Sequence, residues 1–163
     1  MKKTTDELVA DMLDREAIRE LPSRYCDCVW RGDVDALVQL FTEDGAFVIK
    51  TLEGETRVQG RGALGDFYRV GLKHQQRPYI HNVIVDLKPK GRASGRAYLD
   101  LRSARHNFEL MGAGHYADEY RKVRGKWLFE TRYFTAVRID EGPGSVKPPG
   151  ASASAARRAR RAH

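Results

Sequence analysis

His81, in PYIHNVIVDLKP, and His115, in GAGHYADEYRKV, are the side chains best suited to moving a proton near neutral pH. The five histidines show no metal-ligand spacing, since His74 and His81 stand seven apart with a turn between them, so no bound metal is expected. Strand alternation places His115, Ala117 and Glu119 on one face and Tyr116, Asp118 and Tyr120 on the other. With the His115 face concave, two histidines converge on one pocket; with it convex, His115 is a structural or surface residue. Cys26 and Cys28 lie two apart on a helical stretch, where their side chains diverge by about 200°, so they are expected as free thiols rather than a disulfide or zinc site. Nucleophile elbows, phosphate-binding glycine loops and H-E-x-x-H are all missing from the sequence. Acid–base chemistry by histidine is the candidate these residues offer, beside a pocket that only binds.

The elements that must position these residues come in two blocks. Thr4 with Glu7 three residues on forms a capping box for a first helix. Ile18, Leu21, Tyr25 and Val29 form its buried stripe, Pro22 is expected to kink or break it, and Gly32 ends it. Asp33 caps a short second helix in DVDALVQLF, TEDGAFVIK reads as a turn and a strand, and a third helix is expected from Arg61 to Lys73. The second half reads as strands rich in β-branched and aromatic residues, joined by the hairpin-type turns KPKG and VRGK. Helices followed by hairpin-linked strands predict an α+β domain, with helices on one face of a twisted antiparallel sheet.

At 163 residues, 41% hydrophobic and 31% charged, the chain suits one domain, expected over residues 1–141. A Pro/Gly-rich linker and the tail ASASAARRARRAH follow, and disorder is expected over 142–163. Four of the seven excess positive charges are arginines of that tail (Arg157, Arg158, Arg160 and Arg161), leaving +3 elsewhere. Weak, non-specific contact of the tail with a polyanion is the most this charge suggests. No apolar run is long enough to span a membrane, and the charged N-terminus lacks the core of a signal peptide, so a cytoplasmic location is expected.

The helical motifs REAIREL, RY and RGDVDALVQLFTEDGAF precede His81 before VIVDL, then ASGRAYL and GAGHYADEYRKVRGKWLFETRYF. In this order and spacing, over about residues 10–140, the chain resembles the SnoaL-like proteins of the NTF2-like superfamily. The resemblance implies a cone-shaped α+β barrel with an apolar interior, no cofactor, and assembly as a homodimer or trimer. Set beside the bile acid 7α-dehydratase and scytalone dehydratase branch, it implies His81 as catalytic acid or base and Tyr25 as a hydrogen-bond donor to a substrate oxygen. The orienting acid of that branch falls five residues after Tyr25, where this chain has Trp30. An indole donates only and cannot replace a carboxylate acceptor, so Trp30 is expected as a pocket wall. Asp27 is a substitute acid by distance, yet the helical count turns it about 180° from Ile18 and away from the buried stripe; His115 is a possible second shuttle. Two functions follow as expectations: a lyase, isomerase or cyclase for an apolar hydroxy- or keto-substrate, or a non-catalytic binder or carrier of a hydrophobic ligand.

Overall fold

A computed structural model describes residues 2–51 and 54–139. The tail, with the disorder and polyanion contact expected of it, lies outside the described residues.

Helix α1 (Thr5–Arg31) starts at the expected capping box: the Glu7 amide donates to Thr4 Oγ1 at 3.3 Å and the Thr4 amide donates to Glu7 Oε2 at 2.7 Å. Gly32, at φ +70°, ends it in the left-handed region that glycine enters without strain. The expected break at Pro22 does not occur; α1 is one helix of 27 residues with Pro22 buried inside it. One missing backbone donor is outweighed by the buried side chains on either side, Ile18, Leu21, Tyr25 and Val29, each 0–5% exposed. Helix α2 (Val34–Gln39) is capped by the Asp33 carboxylate, which accepts from the Ala36 amide. Helix α3 (Arg61–Gly71) stops short of the expected Lys73, because its last turn tightens into a 3₁₀ turn over Leu72–His74.

Strands β1 (Phe41–Thr51), β2 (Gly54–Gln59), β3 (Gln76–Lys88), β4 (Arg92–Ser103), β5 (Glu109–Val123) and β6 (Lys126–Ile139) form one sheet in the order β2-β1-β6-β5-β4-β3. All neighbours are antiparallel except β1 and β6, which run parallel. The turn between β5 and β6 is the two-residue hairpin read from VRGK, with Arg124 and Gly125 both at positive φ. The helices cover the concave face, where Val85, Ala97, Leu99, Tyr116, Tyr120, Phe129 and Phe134 meet Ile18, Tyr25, Leu37, Leu64 and Tyr68 in one core.

Helix α1 runs along β3, one of the two edge strands. Arg15 Nη1 donates to Val85 O at 2.5 Å and Trp30 Nε1 donates to Pro78 O at 3.2 Å, so side chains of the helix satisfy backbone carbonyls of the strand. Among the described residues no helix is long and apolar enough to cross a membrane.

Candidate functional site

A β-bulge decides where His81 goes. Ile80 pairs with Leu99 and Val83 with Ala97, so His81 and Asn82 together stand opposite Tyr98. The His81 side chain is 54% exposed and its Nε2 lies 3.4 Å from Asp100 Oδ1, on the neighbouring strand β4. Asp100 also lies 3.6 Å from Arg102 Nη2 and stands beside Tyr98, on the face opposite the buried Leu99. The imidazole therefore has a carboxylate neighbour, but the pair sits on the outer side of the sheet, away from the core.

The other residues expected at the site separate. Asp27 is exposed and bound to Arg31 at 2.9 Å, as its helical angle implied, and is no partner for an imidazole in the interior. His115 is half buried with its ring 6.0 Å from that of Tyr98, while Tyr116, Asp118 and Tyr120 are 4%, 2% and 1% exposed. The His115 face is thus the convex one, and the two histidines do not meet in a pocket. Trp30 reaches Pro78 rather than His81. It is 39% exposed, stacks on Phe108 at 5.7 Å and 8°, and meets Tyr79 edge to face at 5.4 Å. Instead of walling the interior, Trp30 stands at its rim.

Tyr25 alone among the expected residues lies in the interior, and it is joined there by residues the sequence reading passed over. Its hydroxyl is 3.1 Å from that of Tyr68 on α3, and its ring lies edge-on to Tyr116 and Phe129. Beneath it, the fully buried guanidinium of Arg132 is held by Asp118 through two bonds, Nε to Oδ1 and Nη2 to Oδ2, each 2.9 Å. The rings of Tyr116, Phe129 and Tyr25 pack on it at 3.8, 4.2 and 4.4 Å. Tyr120 donates to Asp118 Oδ2 at 3.0 Å, whereas Arg132 Nη1 is buried with no partner among the described residues.

The electrostatics of this cluster favour donors over bases. Burial opposes the Arg132 charge, but Asp118 more than offsets it and holds the guanidinium protonated. Burial likewise raises Tyr25, Tyr68 and Tyr116 above the usual phenol range, so their hydroxyls stay neutral. Cys26, half buried beside Tyr25, is pushed up to about 11 by burial despite the Arg132 cation, so it is a thiol and not a thiolate. Both cysteines are free, as expected. No group of three potential metal ligands occurs among the described residues.

The interior is closed at one end, where Ala93, Tyr120, Trp127 and Phe129 are 0–7% exposed. Toward the other end Ile80, Leu101, Ala136, Phe67 and Leu72 pack against the core but are only half buried. At that end the core is less completely covered, while the Arg132–tyrosine cluster itself is buried. Asp118 left a signal, because its alternation with Tyr116 and Tyr120 placed a charge on an aromatic strand face. Tyr68 and Asp100 left none, because their partners come from distant segments.

A family model described as SnoaL-like domain matches residues 10–133. No curated protein matches the chain. Solved structures are similar throughout. An NTF2-like protein with a cystatin-like fold from Novosphingobium aromaticivorans is 20% identical over 86% of this chain and 95% of its own, with a TM-score of 0.71. A putative scytalone dehydratase from the same organism is 19% identical over 92% and 99%, at 0.70. A protein of unknown function with a cystatin-like fold from Nostoc punctiforme is 24% identical over 83% and 95%, at 0.67. At these identities the likeness is one of fold.

Proposed function

The chain belongs to the SnoaL-like family of the NTF2-like superfamily, and on that premise we propose that it binds a mostly apolar small molecule in the cone and does not turn it over. The observation carrying this reading is Arg132 Nη1, a buried cationic donor without an acceptor among the described residues, on a guanidinium packed against Tyr25, whose neutral hydroxyl meets that of Tyr68. A buried unmet donor is unfavourable by about 1–3 kcal/mol, which an acceptor oxygen on a ligand would relieve. Asp118 already balances the Arg132 charge, so a carbonyl or hydroxyl oxygen suits the place. A proton-abstracting base is missing from it: Asp118 is occupied by Arg132 and Tyr120, and His81 lies outside.

Calorimetry and native mass spectrometry with fused-ring ketones test the reading. One-to-one complexes are expected, weakened roughly three- to tenfold by Tyr25→Phe, the worth of one hydrogen bond, and unchanged by His81→Ala.

A second reading is favoured by the 3.4 Å contact between His81 and Asp100. In it Asp100 supplies the carboxylate that position 30 lacks, His81 is the acid or base of a lyase, isomerase or cyclase, and the similarity to a putative scytalone dehydratase agrees. Turnover of a bound ketone or alcohol that disappears in both His81→Ala and Asp100→Asn would replace the binding reading with this one.

A further inference from the structure

The end of the cone where the core is only half covered carries cations and exposed rings. Lys73 and His74 lie on the 3₁₀ turn, Arg77 is second in β3, Arg102 is second to last in β4, and Arg105 and His106 lie in the loop into β5. The placement is fixed by contacts: Arg105 Nη2 donates to Lys73 O at 2.8 Å, the Ala104 amide donates to Gln75 O at 3.1 Å, and Arg77 pairs with Arg102 across the strands. The acids nearby are Asp100, engaged with His81 and Arg102, and Glu109 at the start of β5. Among the described residues no carboxylate lies within ion-pair distance of Lys73, Arg77 or Arg105.

A second observation concerns the backbone. Asn107 and Phe108 are consecutive non-glycine residues in the left-handed region, at φ +49° and +57°, a costly conformation for a benzyl side chain. It is held by Arg102 Nη1, which donates to Phe108 O at 3.2 Å, and by the stack on Trp30. The guanidiniums of Arg77 and Arg102 lie 5.9 and 5.7 Å from the rings of Trp30 and Tyr79. Phe108 of the strained loop thus joins Trp30 and Tyr79 in an apolar shoulder, each ring 39–40% exposed, among positive charges at that end of the cone.

We infer that the ligand is an amphipathic anion. Its apolar body enters the cone, and a carboxylate or phosphate group remains at the rim, held by Arg77, Arg105 and Lys73. This rests on the binding reading, because the rim selects only what the interior accepts. Cations that spend no charge on a fixed acid keep their field for an incoming anion. Being exposed, they act through a screened interaction that salt weakens.

The experiment is calorimetric titration of the full chain with decanoate, decyl phosphate and decanol, in low and in physiological salt. It is repeated with Arg77→Glu/Arg105→Glu. Both anions are expected to bind about tenfold more tightly than decanol at low salt, with the margin shrinking as salt rises. The double variant should lose the margin while binding decanol as before, which also certifies its fold. The tighter of the two anions identifies the headgroup as carboxylate or phosphate. Equal binding of all three probes, or a margin that survives the double variant, overturns the inference and leaves the interior site standing. Failure of all three to bind overturns the inference, and the binding reading falls with it only where fused-ring ketones fail as well.

Discussion

Arg132 keeps its charge in the middle of the protein because Asp118 meets it through two bonds and three rings enclose it. Removing one charge from such a pair strands the other, so Asp118→Asn should lower the unfolding free energy by about 3–5 kcal/mol in denaturant titration. Replacing both residues with apolar ones of similar volume, Arg132→Met with Asp118→Leu, should recover most of it; if the double variant is as unstable as the single one, the pair stabilises by more than mutual neutralisation. The tyrosines around it make a pH prediction. Burial raises Tyr25, Tyr68 and Tyr116 in the folded state, so their contribution is complete below the unfolded phenol value of about 10 and is lost as pH climbs above it. Their phenolate absorbance should therefore appear together with the loss of near-ultraviolet circular dichroism in an alkaline titration. The Cys26 thiol, pushed up to about 11, should react with a disulfide reagent at pH 8 far more slowly in the folded protein than in denaturant. At this scale the sequence was readable where a side chain answers to its own helix: Tyr25 in the stripe and Asp27 away from it both follow from 3.6 residues per turn. It was unreadable where a partner arrives from another strand, as Asp100 does for His81.

Local signals set the elements, and irregularities in them set the site. Thr4, Glu7, Gly32 and Asp33 mark helix ends through bonds to their own neighbours, so they were legible residue by residue. The bulge at His81 and Asn82 was not, since one extra residue in β3 is defined only by what stands opposite on β4. The start of β5 is glycine-rich, with Gly112 and Gly114 on either side of Ala113. A register shift between Ala113 and Gly114 puts a bulge there, and the space is taken: a Cβ at Gly114 would lie 2.4 Å from Thr135 O and 3.0 Å from Phe134 Cε2. Gly114→Ala should therefore force β5 and β6 apart and lower thermal stability markedly, whereas Gly62→Ala on α3, where nothing lies within 4 Å, should leave it unchanged or slightly raised.

For the molecule as a whole, element order and the SnoaL-like motifs conveyed the α+β cone, since both are read along the chain. They did not convey which face of the sheet is concave, because that depends on how all six strands curl around the helices. Nor did they convey that α1 would lie along β3, fastened from its middle at Val85 by Arg15 and from its last turn at Pro78 by Trp30. β3 has 13 residues and a single strand neighbour, so its outer row of backbone groups is a template on which a strand from another molecule can add. Arg15 and Trp30 bond two carbonyls of that strand, and Trp30 sits in the last turn of its helix, where fraying begins. Trp30→Ala should therefore gather into thioflavin-positive assemblies at temperatures where its circular dichroism is still native, and Trp30→Phe, which keeps the ring but not the N–H, should do so more slowly. Should those assemblies form, the indole guards the margin of the sheet, and installing a carboxylate there to build a dehydratase would remove that guard.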